Sequence, residues 1–426
     1  MKKLGVAILG LGVVGGGTYK ILTDNKEYFK KTQKLDITVE NVLEKSQERI
    51  ASLGIPQEIV AGGIEEVVTN PNVDVVVEVI GGIEPARTFV LKALMSGKSV
   101  VTSNKELVCK HWYELEKEAK LANAGLYFEA SCVGGVPIIR TLTEGMQGNH
   151  ISSIAGIING TTNFILTKME TEGSSYEDAL KEAQALGYAE RVPTADVEGF
   201  DAAYKLSILS SLAFHKRIPL ENVYREGITK ITKEDIACGK KLGYKIKLLA
   251  IGKDTKDGVE VRVHPAFVPA NSMLGGVNDS FNAVKLVGDS VGEVMLYGRG
   301  AGALPTGSAI VSDVIFAGKH PEICYSTFEN TKEPPKSIKF ANDFTTKYFI
   351  RMSVLDKLGV LSKFSNVFAK CGVSLKEVKQ DSGKDGVVSL AIVTHDTQEM
   401  AIRKTLEKLE ALPEVVSIDS LIRVED

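Results

Sequence analysis

The chain has 426 residues, with 51 lysines and arginines against 54 aspartates and glutamates and a formal net charge of −3. That length predicts two or three domains, and the near-neutral balance offers no basic footprint for nucleic acid or an anionic membrane. No apolar run reaches the length of a membrane span, and the five cysteines are scattered without a CxxC pair. A reduced, cytoplasmic protein without structural zinc is expected.

Residues 4–9 form a short apolar run that reads as a buried parallel strand. Gly10-Leu11-Gly12-Val13-Val14-Gly15 follows at once, and residues 16–22 continue as a helix. Strand, glycine turn and helix in this order make the dinucleotide fingerprint, where a lone GxGxxG would be weak. Gly10 permits the turn, Gly12 lets the backbone approach a pyrophosphate, and Gly15 permits close packing of helix on strand. Val13 and Val14 stand at the helix N-terminus, whose amides face phosphates. The alternative is a glycine turn without a ligand. A second strand at 37–43 ends in Glu44-Lys45-Ser46. An acid here suits the ribose 2′-hydroxyl of NAD and a basic group the 2′-phosphate of NADP, so the pair points both ways. Strands at 73–80 and 99–102, with helices between, predict an α/β fold with a Rossmann-type doubly wound parallel sheet. Ser103-Asn104-Lys105 lies beyond a strand's carboxyl end, where ligands gather in such sheets; a solvated loop lysine is the alternative.

Residues 128–137 read as a glycine turn joining two domains. In Ile157–Leu166, Asn-Gly signals a turn, and Thr161 or Thr162 is placed to cap the following helix. Further on, Asp201 and Lys205 stand four residues apart on one helix face. The turns around and after them carry Leu206, Ile208, Leu209, Leu212 and Ala213, so the helix is apolar on almost every side and should be buried. Buried charges are costly unless paired or used. Glu190 and Asp196 add carboxylates just upstream. A surface i,i+4 salt bridge is the alternative, and the apolar context favours a site. Residues 298–308 are glycine-rich, and a helix from Ser308 to Phe316 is expected to pack back on the nucleotide domain.

The arrangement Gly187-Tyr188-Ala189-Glu190-x-x-Pro193-Thr194-x-Asp196-Val197-x-Gly199-x-Asp201-Ala202-x-x-Lys205-Leu206 resembles homoserine dehydrogenase, the enzyme linking aspartate 4-semialdehyde and homoserine. The resemblance extends over nearly the whole chain. It implies an NAD(P)-dependent oxidoreductase in threonine, methionine and isoleucine biosynthesis. Lys205 would protonate the aldehyde oxygen, Asp201 would hold substrate and lysine, and Glu190 would receive the α-ammonium, with Asp196 and Thr161 also on the substrate. Lys105 would contact cofactor and substrate, with Ser103, Gly187 and Gly302 on the cofactor. Lys45 falls near the position where relatives often carry arginine for the 2′-phosphate, which favours NADP(H), with NAD(H) second. Glu129 and the carbonyls of Cys132, Gly134 and Val136 would surround a sodium ion; Cys132 replaces the usual valine. The implied domains are 1–130 plus about 305–325 for the nucleotide, and an α+β domain at 131–304 for substrate, catalysis and dimerisation. A homodimer or homotetramer follows.

Residues 329–336 are polar with a double proline, so 326–346 read as a linker. From 347 to 426 the pattern is βαββαβ, which resembles an ACT domain with the ferredoxin-like fold. Such modules often bind amino acids, which nominates Asp356 and Gly359 for an effector, threonine first. Leu358 stands where that family usually has proline, so subunit assembly without a ligand is the other reading. Two other readings stand beside this one: within the enzyme class, another Rossmann oxidoreductase acting on an amino-acid aldehyde or ketone, and, in a different class, a nucleotide-sensing regulator. The set Glu190, Asp201 and Lys205 favours an enzyme over a sensor.

Overall fold

The computed structural model describes residues 1–321, 338–381, 383 and 386–425. Most of the linker segment assigned above, 326–337, lies outside the described residues.

Five parallel strands form the first sheet: β1 (Lys2–Leu9), β2 (Leu35–Leu43), β3 (Val75–Glu78), β4 (Ser99–Thr102) and β5 (Leu126–Tyr127). Their order is β2-β1-β3-β4-β5, and each neighbouring pair is parallel. The four residues of β3 and of β4 are all buried, as a sheet covered on both faces requires. The order reverses at β1, so the glycine turn after this strand lies at the topological switch point.

The helix Ala303–Lys319 returns to this domain and lies across the helix Val13–Asp24. The approach is close: a Cβ at Gly17 would sit 2.3 Å from the carbonyl oxygen of Ala303. The return helix starts before Ser308, the expected boundary. Pro305 falls in its first turn, where a missing N–H costs nothing.

A second sheet holds β6 (Ile151–Ile157), β7 (Tyr224–Arg225), β8 (Tyr244–Thr255), β9 (Gly258–Pro269), β10 (Phe281–Gly288) and β11 (Gly292–Arg299). The helix Phe200–Phe214 packs on β6, β8 and β9, and only Phe200 and Tyr204 escape full burial, so the apolar reading of this helix holds. The C-terminal module contributes β12 (Thr345–Leu355), β13 (Leu375–Gln380), β14 (Val387–Thr394), the two-residue β15 (Thr397–Gln398) and β16 (Val415–Val424). With helices Val360–Lys370 and Glu399–Glu410 it is the βαββαβ unit read from the sequence.

One feature differs from a module hung on a linker. β16 pairs in parallel with β9 at Arg423↔Ala266 and Val424↔Phe267, so the two sheets run on as one, in the order β11-β10-β6-β8-β9-β16-β12-β14-β13. Both strands would otherwise present a bare hydrogen-bonding edge there. Arg351 reinforces the join through Asp235 at 2.9 Å, with Asp235 fully buried.

Candidate active site

Gly10 has φ +96°, a left-handed conformation that glycine adopts without strain. A Cβ on Gly15 would lie 2.0 Å from the Gly10 carbonyl oxygen, whereas nothing approaches within 4 Å of one on Gly12. The turn is therefore tightly packed beneath and open above, as a pyrophosphate cradle requires. At the end of β2 the Glu44 carboxylate accepts from the amides of Leu11 (2.7 Å), Lys45 (2.8 Å) and Ser46 (2.9 Å). Burial opposes its ionisation, yet these amides hold it below the ordinary carboxylate range. Lys45 itself is exposed.

Beyond β4, Asn104 caps the helix Lys105–Leu121 by accepting from the Leu107 amide, which places Lys105 at the first helical position. Glu78, fully buried at the end of β3, takes the Thr102 hydroxyl at 2.6 Å and the Ile80 amide at 2.8 Å. Burial raises its pKa.

The two domains meet over a cleft of about 530 Å³. Val14, Ser103, Lys105, Gly302 and Thr306 line one wall, and Asn159, Thr161, Gly187, Asp196, Asp201 and Lys205 the other. At its centre the Asp201 carboxylate is shared: Lys205 Nζ lies 2.7 Å from Oδ2 and Lys105 Nζ 2.9 Å from Oδ1. Lys205 also donates to the Ile158 carbonyl at 2.9 Å. The i,i+4 pair is therefore no surface bridge: the Asp201 and Lys205 side chains are 6% and 11% exposed. Burial works against the Asp201 charge, but the two lysines overcome it and hold the carboxyl well below its usual range. Asp201 in turn raises the pKa of Lys105 against the effect of burial.

Asn159 is a site residue whose clamping role the sequence reading missed. Its amide donates to Asp196 Oδ1 at 2.7 Å and Asp201 Oδ2 at 2.8 Å, holding the two carboxylates together. Asp196 is raised, by burial first and by the Asp201 charge second. Asn159 also corrects the expected cap. Its Oδ1 accepts from the Thr162 amide at 2.8 Å, so it, and not Thr161 or Thr162, caps the helix Gly160–Glu172. Asn is a strong cap, and Asn159 immediately precedes the first helical residue, which is the signal that was there to use. Thr161 instead donates its hydroxyl to the Tyr188 carbonyl at 2.7 Å and ties down the loop that carries Gly187.

Not every nominated residue gathers here. Glu190 is exposed on that loop, outside the cleft lining, and Lys45 stands apart at the end of β2. Gly134 lines the cleft, and the buried Cys132 places its Sγ 3.9 Å from the Lys205 carbonyl, so this turn abuts the helix Phe200–Phe214. Both Glu129 oxygens accept backbone amides, from Ile139 and Arg140 at 2.8 Å each. Its carboxyl is pushed up to about 8, by burial first and by the neighbouring Asp313 second. The Val136 carbonyl accepts the Ile138 amide at 2.8 Å. In the C-terminal module Gly359 has φ +84° at the start of the helix Val360–Lys370, and the Asp356 amide is taken by the Gly386 carbonyl. Leu358 points fully into solvent and fills no pocket within the chain.

Comparison with known proteins accords with this arrangement. Residues 10–129 match the homoserine dehydrogenase NAD binding domain, 137–315 the homoserine dehydrogenase domain, and 348–414 the ACT domain. The homoserine dehydrogenase of Bacillus subtilis is 42% identical over all of this chain and 99% of its own length. A crystal structure of a homoserine dehydrogenase from Thiobacillus denitrificans superposes with a TM-score of 0.92 at 38% identity, covering all of this chain and 99% of the other. A hyperthermophilic archaeal homoserine dehydrogenase, solved in complex with NADPH, gives a TM-score of 0.64 at 30% identity over 74% of this chain and 97% of its own. The chain thus belongs to the homoserine dehydrogenase family of NAD(P)-dependent oxidoreductases and carries an ACT domain at its C-terminal end.

Proposed function

We propose that the chain reduces L-aspartate 4-semialdehyde reversibly to L-homoserine on the route to threonine, methionine and isoleucine, with Lys205 as the proton donor. The observation that carries this assignment is the pair of ammonium groups held by one buried carboxylate on the wall of the interdomain cleft. Reduction leaves negative charge on the former aldehyde oxygen, and an ammonium aimed there stabilises it and transfers a proton. A bound nicotinamide supplies or takes the hydride. Lys205 is oriented by two acceptors, Asp201 and the Ile158 carbonyl, which leaves its third N–H for the substrate. Lys105, on the opposite wall, helps hold the substrate against the cofactor. Asp196 and Asp201 supply negative charge for the substrate's α-ammonium, with Glu190 reaching in from its loop.

Three finer assignments belong to the same reading. Lys45 and the relative solved with NADPH support NADP(H) as the favoured cofactor; the Glu44 carboxylate at the end of β2 supports NAD(H) as the second. A sodium ion at Glu129 and the carbonyls of Cys132, Gly134 and Val136 would relieve the buried carboxylate pair Glu129 and Asp313. A threonine effector near Asp356 and Gly359 fits an ACT module, in a cytoplasmic homodimer or homotetramer.

The test is direct. Purified protein given aspartate 4-semialdehyde should oxidise NADPH or NADH, and failure with both overturns the assignment. Threonine added to the same assay should inhibit; unchanged rates would leave the ACT module an assembly element or assign it another amino acid.

A further inference from the structure

Glu78 closes β3 after Val75, Val76 and Val77, and is as fully buried as they are. Burying a carboxylate among valines is costly unless donors surround it. Three do, and they come from two loops. Oε1 accepts the amides of Ile80 at 2.8 Å and Gly81 at 3.3 Å, in the loop that leaves β3. Oε2 accepts the hydroxyl of Thr102 at 2.6 Å; Thr102 is the register partner of Glu78 on β4 and is equally buried. Both loops leave the carboxyl ends of parallel strands, the side on which ligands bind in such a sheet.

From Thr102 the contacts continue to Lys105. The Thr102 oxygen, while donating its hydrogen to Glu78, accepts the Asn104 amide at 3.0 Å. The Asn104 side chain donates to the Gly82 carbonyl at 2.6 Å and accepts the Leu107 amide at 3.1 Å as the helix cap. Gly81 and Gly82 have φ of +84° and +70°, so the loop that supplies this carbonyl turns twice through the left-handed region before Asn104 meets it. Lys105 follows Asn104 as the first helical residue, and its Nζ reaches across the cleft to Asp201 Oδ1 at 2.9 Å. A lysine stem is flexible, so what the fold fixes is the backbone from which it departs.

We propose that Glu78 is a positioning residue for Lys105, fixing through Thr102 and Asn104 the helix start from which this lysine meets substrate and cofactor. The Thr102 hydroxyl is donor to Glu78 and acceptor from Asn104 at once, so losing either capacity breaks the chain of contacts. The same carboxylate fixes the loop whose Gly82 carbonyl holds the Asn104 side chain, so Asn104 is gripped from two sides that meet at Glu78. Glu78 does not line the cleft, and it therefore acts through Lys105 and not on the reacting atoms. The proposal rests on the reading of Lys105 as the group that holds substrate against cofactor.

A double-mutant cycle on the full chain tests it, with kcat/KM for aspartate 4-semialdehyde measured for Lys105→Met, Glu78→Gln and the pair. Glu78→Gln keeps the size of the side chain but replaces one acceptor oxygen with a donor. It should lower kcat/KM by about ten-fold, because small displacements of a positioned group are amplified in rate. In the Lys105→Met background the same change should cost less than about two-fold, since the group it positions is gone. Thr102→Val, which removes the hydroxyl, should repeat both results, and Thr102→Ser, which keeps it, should retain the parent's kcat/KM. These two variants carry the cycle if Glu78→Gln fails to fold. Equal losses in the two backgrounds, or no loss in either, overturn the role of Glu78. Unchanged kinetics in Lys105→Met would instead remove the lysine from the site, and this proposal with it.

Discussion

At the cleft wall one buried carboxylate, Asp201, faces two ammonium groups, whereas at the domain junction a single buried guanidinium, that of Arg423, is gripped by several partners. Glu399 takes Nη2 at 2.6 Å and Nε at 3.1 Å, Glu226 takes Nη1 at 2.9 Å, and the Tyr224 hydroxyl completes the set. Both clusters bear the desolvation cost of buried charge. The difference lies in what remains unspent. Lysine is a compact charge with three donors, and two lysines on one carboxylate leave N–H groups facing an open cleft. Four of the five N–H donors of Arg423 are taken within the chain, so its charge ties β16 to the β7 segment and to the helix Glu399–Glu410. Buried charge thus keeps donors open to a cleft in one place and is turned to cohesion in the other.

The comparison breaks most sharply at Lys205. Lys205→Ala should reduce kcat by roughly 10²–10⁴-fold, the usual contribution of a positioned proton donor, while cofactor binding followed by fluorescence persists. A rate within a few-fold of the parent at saturating substrate would remove Lys205 from that role. At the junction the loss should appear in stability instead. Arg423→Met removes the guanidinium that Glu399 and Glu226 share, leaving Glu399 only Arg403 and Tyr348, and should destabilise the fold by about 3 kcal/mol in denaturant titrations. An unchanged unfolding midpoint would show that the junction cluster contributes nothing to cohesion.

A third test concerns the buried carboxyl beside the cleft. Glu129 sits at about 8, above the ordinary carboxylate range, so the folded chain keeps a proton that the unfolded chain gives up near pH 4.5. The folded state therefore binds more protons between those values, and stability should fall as pH rises from about 4.5 to about 8. Thermal melts in sodium chloride and in tetramethylammonium chloride separate the cation's part, because sodium at this turn should flatten the decline. Glu129→Gln should reduce the decline in both salts to the part contributed by the other raised carboxyls, Glu78 and Asp196, and a slope unchanged by the substitution refutes the assignment. The smallest effect belongs to Glu190. Its exposed position predicts that Glu190→Gln raises the Michaelis constant for homoserine only several-fold, within the range of one partly solvated charge pair. No change would remove it from the substrate site.

Much was legible because it is local. The strand, glycine turn and helix at the start, the βαββαβ rhythm at the end, and the Asp201–Lys205 spacing on an apolar helix are each written within a few turns of chain. Backbone sterics and hydrophobic periodicity suffice to read them. The cap at Asn159 was equally local and was still misread, since Thr161 and Thr162 offered the same chemistry two and three residues later.

What sequence reading could not supply depends on approach through space. Nothing near Lys105 announces that Asp201 will meet it from the other domain, and nothing near Asn159 announces that it will join two carboxylates. The ACT module read as an appendage, because strand pairing is made by backbone groups that every residue carries, so no side-chain pattern marks β9 and β16 as partners. Nothing in the sequence around Arg262 or Arg423 marks either as buried. Both are 1% exposed at the joint between the two sheets, and burial is what turns a common arginine into a structural lock. The sequence by itself determined the elements, the family and the lysine nominated for proton transfer; tertiary structure decided which charges face one another and which of them keep donors facing the cleft.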